Sequence, residues 1–206
     1  MIFSGNNHNR MLRLVLFFTK GVSLQTWDQV GMFDREVAIY KELQKRGVDI
    51  TFVTYGDAKD LDYADRIPGI HICCNRWGLS LPKYLQLIPW LHWWRLQKAS
   101  LIKSNQTNGA EIGLSISKRF SEPFIARCGY MWSKNAVLDH GENSTVAKRS
   151  REIESQVFPG ADAVVVTTSE MSSSIIERFP ECKEKIIIIP NYVDTKLFKP
   201  NLERES

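Results

Sequence analysis

The stretch MLRLVLFFTKGVSLQTWDQVGMFDREVAIYKELQKRGVDITFVTY (residues 11–55) decides the fold. It begins with a continuous apolar run, residues 11–19, which is typical of a strand buried on both faces of a sheet. Apolar residues then recur at steps of three and four over residues 33–43, and this spacing predicts a helix. Gly47 ends the helix, and residues 48–55 form a second apolar run. A strand, a helix and a strand in this order form a βαβ unit, so the two strands are predicted to be parallel.

The alternation of apolar runs and amphipathic segments continues along the chain. Further strands are predicted at 70–74, 111–117, 123–128, 162–167 and 185–189, and further helices at 82–104, 144–158 and 169–179. Pro89 is expected to interrupt or kink the helix at 82–104. The pattern indicates an α/β fold with a doubly wound, mostly parallel sheet and helices on both faces. Residues 1–190 are predicted to form this Rossmann-like domain, and residues 191–206 to begin a linker or polar tail.

Composition restricts the class of protein. The 206 residues are 43% hydrophobic and 24% charged, which is ordinary for a globular domain. The net charge of +4 suits an anionic small molecule or an anionic membrane surface, and it is too small to indicate nucleic acid. The four cysteines form no Cys-x-x-Cys pair, so reduced, buried thiols in a cytoplasmic protein are expected rather than a disulfide framework or a zinc site. No apolar run is long enough to span a bilayer.

A ligand site is expected beyond the C-terminal ends of the parallel strands. The loops at 20–31, 129–143, 167–171 and 190–195 would lie there. The chain has neither G-x-G-x-x-G nor a P-loop. Gly31, at a helix junction, could bring backbone amides to a phosphate, or could instead be required for close helix packing. In the same loop, Trp27 could stack on a sugar and Asp28 could accept hydroxyl hydrogen bonds, or the two could serve as loop packing and a helix cap.

Two more residues are candidates for this site. Arg127 ends an apolar run, PFIARC, and is a candidate cation for an anionic substrate group. Ser169 is predicted to cap the helix that follows VVVTT, with a hydrogen bond to substrate as an additional role. His140 lies in a polar loop, where a histidine is usually solvated. No catalytic triad and no metal-binding spacing is present, so no catalytic residue and no metal ligand are predicted.

Residues 77–103 contain four of the six tryptophans together with several basic residues. Tryptophan and basic residues on an amphipathic helix suit the membrane interface. The alternative is a core-packing helix whose other face meets a partner domain. The predicted location is therefore the cytoplasm, with peripheral contact at the inner face of the membrane through residues 77–103 as one of the two interpretations.

Three segments together resemble a known enzyme family. IIIIPNYVDTKLFKP (186–200) resembles the interdomain signature, Ile-Pro-Asn-Gly-Val-Asp-Thr…Phe…Pro, of retaining GT-B glycosyltransferases of the family-4 type. GADAVVVTTSEMSSSIIERF (160–179) and VGMFDREVAIYKELQKRGVDITFVTY (30–55) resemble two other segments of the same family. The resemblance implies that the chain is the N-terminal, acceptor-side Rossmann-like half of a GT-B fold.

The resemblance also implies roles for individual residues. Gly31 corresponds to the backbone contact to the donor phosphate or the acceptor, whereas Val30 replaces the first glycine of the family's pair. Asn191 and Asp194 correspond to the interdomain hinge, and Tyr192 replaces the usual glycine between them. The basic or histidine residue that follows the fifth strand in the family is not clearly matched, and Arg127 or Tyr130 would substitute for it.

The implied reaction moves a sugar, with retention, from a nucleotide-sugar donor to a glycan or lipid-linked acceptor, without a metal or cofactor. In this family a second domain holds most of the donor, so the chain is expected to be inactive alone, as a shortened chain, a split gene product or a subunit with a separate C-terminal partner. The alternatives are a non-catalytic Rossmann-like binding module or subunit that requires such a partner, and an unrelated flavodoxin-like binding protein.

Overall fold

The computed structural model of the protein describes residues 11–192. Within this part of the chain, seven strands form one sheet in the order β3-β2-β1-β4-β5-β6-β7, and every neighbouring pair is parallel. The strands are β1 (Arg13–Phe17), β2 (Asp49–Val53), β3 (Ile70–Cys73), β4 (Leu101–Ser104), β5 (Phe124–Cys128), β6 (Ala163–Val166) and β7 (Ile186–Ile188). The predicted parallel α/β sheet is confirmed.

Helices cover both faces of the sheet. They are α1 (Leu24–Gln29), α2 (Phe33–Lys45), α3 (Leu81–Leu91), α4 (Trp93–Leu96), α5 (Ala110–Phe120), α6 (Trp132–His140), α7 (Thr145–Gly160) and α8 (Ser169–Arg178), with 3₁₀ segments at Ala58–Arg66 and Pro180–Lys185. Alternate residues of β1 enter two separate cores: Leu16 packs with α1 and α2, whereas Phe17 packs with α3, α5 and α7. This division is what a doubly wound sheet requires, because successive side chains of a strand point to opposite faces.

The predicted strand at 111–117 is wrong, because those residues form the middle of α5. The sequence EIGLSIS alternates polar and apolar residues and therefore also fits the period of a strand. In the structure the buried positions include Ala110, Gly113, Leu114 and Ser117, which is helical spacing. Gly113 lets the helix approach the sheet, since a Cβ atom there would lie 2.9 Å from the Phe124 ring.

The predicted long helix at 82–104 is also wrong in its second half. Helix α3 continues through Pro89 and ends at Leu91, the short helix α4 follows, and residues 101–104 form the central strand β4. The predicted interruption near Pro89 is confirmed, and it falls three residues later, at His92, whose φ is −115°. Strand β4 was missed because its four residues follow a basic, apolar segment whose spacing resembles the helix before it.

Two predicted loops contain helices. Helix α1 lies within 20–31, where Ser23 and Thr26 form a reciprocal capping box, and α6 lies within 129–143. The N-cap of α8 is Thr168, whose side chain accepts a hydrogen bond from the Met171 amide, so the prediction of Ser169 as the cap is wrong by one residue. The other predicted elements are confirmed to within two residues or so at each end.

One buried carboxylate joins three helices. Glu154 of α7 is fully buried and accepts hydrogen bonds from the backbone amide (2.8 Å) and hydroxyl (2.6 Å) of Ser133 in α6. Arg178 of α8 forms an ion pair with the same carboxylate and donates to the Ser133 hydroxyl. A buried charge is tolerated when it is paired and hydrogen-bonded in this way.

Candidate functional site

The sheet reverses its direction of winding between β1 and β4. From β1 the chain proceeds to β2 and β3 on one side, and from β4 it proceeds to β5, β6 and β7 on the other. In open α/β sheets the crevice at such a switch point, beyond the C-terminal strand ends, is the usual ligand site. A cleft of about 360 Å³ opens there, and it is lined by residues that follow β1, β4 and β5 together with residues of α1 and α2: Thr19, Val22, Thr26, Trp27, Val30, Met32, Arg35, Glu36, Asn105, Gln106, Arg127, Gly129, Tyr130 and Asn191.

The loops after β4 and β5 are held together by polar contacts. The Gln106 side-chain oxygen accepts a hydrogen bond from the Gly129 amide at 2.9 Å. A Cβ atom at Gly129 would lie 2.8 Å from that side-chain amide, so a larger residue there would displace the Gln106 side chain. Ser104, at the end of β4, accepts from the Arg127 amide at 3.1 Å. These contacts fix the base of the cleft before any ligand enters.

Arg127 provides the cation of this cleft. Its guanidinium donates to the Asn105 carbonyl at 3.1 Å and, more weakly, to the Asn191 side-chain oxygen at 3.4 Å. Within residues 11–192 no carboxylate lies within ion-pair distance of Arg127. An oriented guanidinium whose charge is not neutralised by the protein is suited to an anionic group such as phosphate or carboxylate.

Lys103 provides a second cationic side chain, close to Arg127 but outside the cleft lining. Its Nζ donates to the Tyr40 hydroxyl at 3.2 Å and to the Ser104 carbonyl at 3.4 Å. Burial, followed by repulsion from the Arg127 guanidinium, lowers the pKa of Lys103 to about 7, against a smaller opposite effect of Glu36. The positive charge behind this cleft therefore changes near neutral pH.

The first turn of α2 adds a mixed pair of charges to the opposite wall. Arg35 and Glu36 both line the cleft, and the Arg35 guanidinium donates to the Glu36 carboxylate at 2.9 Å. The Tyr192 hydroxyl donates to the Arg35 carbonyl, so the segment after β7 contacts α2 at the rim. The cleft is open to solvent, with Asn191 along one edge.

Among the site residues predicted from the sequence, Trp27, Arg127, Tyr130 and Asn191 line this cleft. Trp27 is only 4% exposed and stacks on Phe18, with ring centroids 4.0 Å apart. It therefore presents a small part of its ring to the cleft, whereas stacking on a sugar would require an exposed face.

The other described candidates do not line the cleft. The Asp28 carboxylate accepts hydrogen bonds from Arg66 (2.7 Å) and Tyr63 (3.0 Å), and this contact with the guanidinium lowers the pKa of Asp28. The Gly31 amide donates to the Asp28 carbonyl at 3.0 Å. Ser169 is exposed at the start of α8, and Asp194 lies outside the described residues.

Gly31 has a conformational role. Its φ is +69°, and nothing lies within 4 Å of where a Cβ atom would be. Close helix packing, the alternative considered from the sequence, therefore does not explain this glycine. The left-handed backbone that joins α1 to α2 does, because other residues adopt it at a cost.

The sequence analysis did not identify several lining residues, among them Arg35, Glu36, Asn105 and Gln106. Asn105 and Gln106 were missed because β4, which places them at the sheet edge, was assigned to a helix. A polar Ser-Asn-Gln-Thr run after a short apolar segment was the available signal. Arg35 and Glu36 carried no distinguishing signal, since charged residues are common in the first turn of any surface helix.

Residues 11–192 contain neither a candidate metal site nor a membrane-spanning helix. No group of three or more His, Cys, Asp and Glu side chains there could hold a metal ion. None of the helices in this part of the chain has the length and apolar character needed to cross a bilayer. All four cysteines are free and buried, as predicted.

Comparison with known proteins gives a consistent result. The family model described as Glycosyltransferase Family 4 matches residues 37–197. No curated protein sequence matches. Among solved structures, sucrose-phosphate synthase (tll1590) from Thermosynechococcus elongatus is similar, with a TM-score of 0.65 and 17% identity over 92% of this chain and 50% of that one.

Two more solved structures share the fold. Anabaena Alr3699/HepE, in complex with UDP and glucose, has a TM-score of 0.53 and 14% identity over 91% of this chain and 47% of that one. Arabidopsis thaliana UGT89C1, complexed with UDP-L-rhamnose, has a TM-score of 0.55 and 9% identity over 92% of this chain and 54% of that one. The chain thus spans about half the length of each of these proteins, and the shared architecture is one Rossmann-like half of a GT-B fold.

Proposed function

The chain belongs to Glycosyltransferase Family 4, and on that premise we propose that it is the acceptor-binding half of a retaining glycosyltransferase. The proposed enzyme moves a sugar from a nucleotide-sugar donor to a glycan or lipid-linked acceptor. The observation that carries the proposal is the position of Arg127, an unneutralised guanidinium at the switch-point cleft of a family member.

The proposed roles follow from the reaction. The bond between the anomeric carbon and the donor diphosphate breaks, a bond from that carbon to an acceptor hydroxyl oxygen forms on the same face, and the hydroxyl proton passes to the departing diphosphate. Negative charge develops on the diphosphate, and fixed cations stabilise it without reorganising. Arg127 is proposed to hold an anionic group of the acceptor or the donor, with Lys103 adding charge from behind the wall.

The donor is proposed to be a nucleotide sugar bound as substrate, without a metal or a resident cofactor. The Anabaena Alr3699/HepE structures hold UDP and glucose or UDP-glucose, and the Arabidopsis thaliana UGT89C1 structure holds UDP-L-rhamnose. UDP-sugars are therefore the first donors to test. The chain spans about half of each relative. We therefore propose that sugar transfer requires a second, donor-binding domain and that this chain alone does not catalyse it.

The proposed location is the cytoplasm, with peripheral membrane contact through residues 77–103. The exposure of Trp90 (59%) and Trp94 (75%) supports a contact surface in this segment. A glycan or lipid-linked acceptor would then meet the enzyme at the membrane interface.

A non-catalytic binding module is the second candidate. The observation that favours it is the one-sided cleft: its described lining comes from one Rossmann-like unit, while catalysis in this architecture is expected to need a second wall. Such a module would bind a sugar nucleotide or acceptor without transferring the sugar.

The deciding experiment measures transfer from radiolabelled UDP-sugars to lipid and oligosaccharide acceptors by the chain with and without a separately produced donor-binding domain. We expect transfer only in the combined sample, and at least about a tenfold loss with the Arg127→Ala variant. Binding without transfer in every combination would favour the binding module. Transfer that is unchanged by Arg127→Ala would refute the proposed use of the cleft.

A further inference from the structure

A second pocket lies at the outer edge of the sheet, away from the switch point. It has a volume of about 330 Å³ and is formed between β3 and the α3–α4 segment. Its lining includes Arg76, Arg95, His71, His92 and Trp94, and it contains no carboxylate. The concentration of cationic side chains in a pocket of this size indicates an anionic ligand group.

Most of the pocket lining comes from a segment with one sign of charge, whereas Leu61 comes from the acidic 3₁₀ segment Ala58–Arg66. Residues 67–110 contain no Asp or Glu, and they contain five lysines and arginines: Arg76, Lys83, Arg95, Lys98 and Lys103. A run of 44 residues without a negative charge differs from the rest of the chain, where acidic and basic residues are interspersed. The positive potential of this part of the surface attracts anions over about a Debye length.

Arg76 is the cation best placed to receive an anion. The turn that carries it is rigid, because the Asn75 amide donates to the Gly56 carbonyl (2.8 Å) and the Asn75 side chain bonds both backbone groups of Leu79 (2.6 and 3.1 Å). Its guanidinium lies 4.8 Å from the centre of the Trp77 ring. Among residues 11–192 no carboxylate lies within ion-pair distance of it.

Arg95, unlike Arg76, has a carboxylate within ion-pair distance. It contacts the His71 ring nitrogen at 2.8 Å and lies 3.9 Å from Asp49, which partly neutralises it. The two histidines respond to the cations: burial and then Arg76 lower the pKa of His92 to about 4, and burial and then Arg95 lower that of His71. Both rings are therefore neutral at pH 7, and they have protein partners of their own: Arg95 and Asp49 for His71, and Tyr84 for His92.

The rim of the pocket continues into an aromatic surface, defined here as Leu87, Trp90, Trp93 and Trp94. Trp94 is 75% exposed and belongs to both the pocket and this surface. The Arg119 guanidinium lies 4.8 Å from the centre of the Trp90 ring, and Trp93 packs against Phe120 at 5.2 Å. Exposed tryptophans with basic neighbours are typical of the interfacial region of a bilayer.

We propose that this pocket holds the phosphate of an anionic lipid headgroup, with Arg76 as the principal ligand, while the aromatic surface lies in the membrane interface. The proposal rests on the proposed membrane contact and does not depend on sugar transfer. It commits to a lipid because Trp94 lines the pocket and is 75% exposed, and a water-soluble phosphate compound would leave that ring exposed.

The test uses co-sedimentation of the chain at low salt with vesicles of phosphatidylcholine mixed with phosphatidylglycerol, or of phosphatidylcholine alone. We expect retention by the anionic vesicles only. Arg76→Gln should weaken it by at least about twentyfold, since it removes charge-assisted hydrogen bonds inside a pocket. Lys83→Gln removes the same charge from the same segment but outside the pocket, and should weaken binding only about fivefold. Both side chains are exposed, so neither variant should unfold the protein.

Competition with sn-glycerol 3-phosphate separates the sources of phosphate. It should displace the wild-type protein from anionic vesicles, and it should have a much smaller effect on the residual binding of the Arg76→Gln variant. Equal effects of Arg76→Gln and Lys83→Gln on vesicle binding would refute the headgroup pocket. Failure of the wild type to bind anionic vesicles would also refute it, whether or not the protein binds glycerol 3-phosphate. Vesicle binding is measured without a sugar donor or acceptor, so failure of the sugar-transfer proposal would be seen separately.

Discussion

Arg127 Nη2 and Asn191 Oδ1 lie 3.4 Å apart, so the end of β5 contacts the segment that follows β7. Both residues line the same cleft. A 3.4 Å contact is long for a hydrogen bond and contributes little energy. The stronger bond at 3.1 Å, to the Asn105 carbonyl, orients the guanidinium, and the Asn191 contact places the segment after β7 at the edge of the cleft.

Replacement of Arg127 by alanine should reduce sugar transfer at least about tenfold, because a fixed cation is lost from the cleft. Asn191→Ala should have a smaller effect, since its contact with Arg127 is weak. The measurement is kcat/KM with a UDP-sugar in the presence of the donor-binding domain. Arg46→Ala, an exposed arginine at the far end of α2, is the matched control and should leave the rate unchanged.

Binding of an anion in the cleft should weaken as pH rises through about 7. Lys103 is buried beside Tyr40, and its pKa is lowered to about 7, so it carries a charge below that pH and loses it above. The charged groups that act on it are Arg127 and Glu36. Titration with UDP from pH 6 to pH 8 should show the decrease in the wild type. Lys103→Met should flatten this dependence, and an identical pH profile in that variant would exclude Lys103 as its source.

Protein stability should fall on acidification because of His92. The ring accepts or donates a hydrogen bond with the Tyr84 hydroxyl at 2.9 Å, and burial lowers its pKa to about 4. Between pH 6.5 and 4 the unfolded chain binds more protons, so stability is full above 6.5 and is lost as pH falls through this window. From pH 7 to pH 5 the free energy of unfolding should drop by about 2 kcal/mol.

Denaturant unfolding at both pH values checks this prediction. His92→Gln keeps a polar partner for Tyr84 but does not titrate, so its stability should change less between pH 7 and pH 5. His71, whose pKa is also lowered, contributes in the same direction in both proteins. If wild type and variant lose equal stability, His92 is not the buried neutral ring that the structure shows.

Loss of Arg178 should destabilise the fold. Arg178→Met leaves the Glu154 carboxylate buried without its ion partner, and the free energy of unfolding should fall by about 2–3 kcal/mol; the figure is below that of a fully buried pair because Arg178 is 31% exposed. Arg151→Met on the same α7 helix breaks an exposed pair with Glu142 and should cost less than about 1 kcal/mol. Similar losses in the two variants, measured by urea unfolding, would argue against a specific role for the Glu154 pair.

Gly31→Ala should cost about 1 kcal/mol of stability, because a left-handed backbone penalises a Cβ atom. Gly31→Asn should cost less, since asparagine tolerates this conformation better. The KM for donor and acceptor should not change, because the Gly31 amide is bonded to the Asp28 carbonyl. A raised KM with unchanged stability would instead support the phosphate contact that the family resemblance implies.

Most elements of the fold followed from local patterns. The apolar run at 11–19 became β1, and the three-and-four spacing at 33–43 became α2. The errors fell on α5 and β4, where a short segment fits both a strand and a helix. In such segments the choice depends on the space left by neighbours, as at Gly113, where the missing side chain admits the Phe124 ring.

The candidate site was less predictable. Arg127 was identifiable because a charge ending a buried strand needs a partner or water. Trp27 and Asp28 were predicted from their residue types alone. In the structure Trp27 stacks on Phe18, and Asp28 accepts a hydrogen bond from Arg66. Lys103 carried no signal, because its lowered pKa arises from burial against Tyr40 and from a guanidinium 24 residues away in sequence.

The sequence by itself determined that the chain is a parallel α/β domain of a sugar-transfer family, because hydrophobic periodicity and local motifs depend only on residues that are close in sequence. Only the tertiary structure decided which side chains share a cleft: strand order places β4 between β1 and β5. Proximity across a sheet depends on pairing between distant segments, and hydrophobic spacing within one segment does not determine which strand pairs with it. For the same reason, the pocket beside Arg76 became visible only when β3 and α4 were brought together.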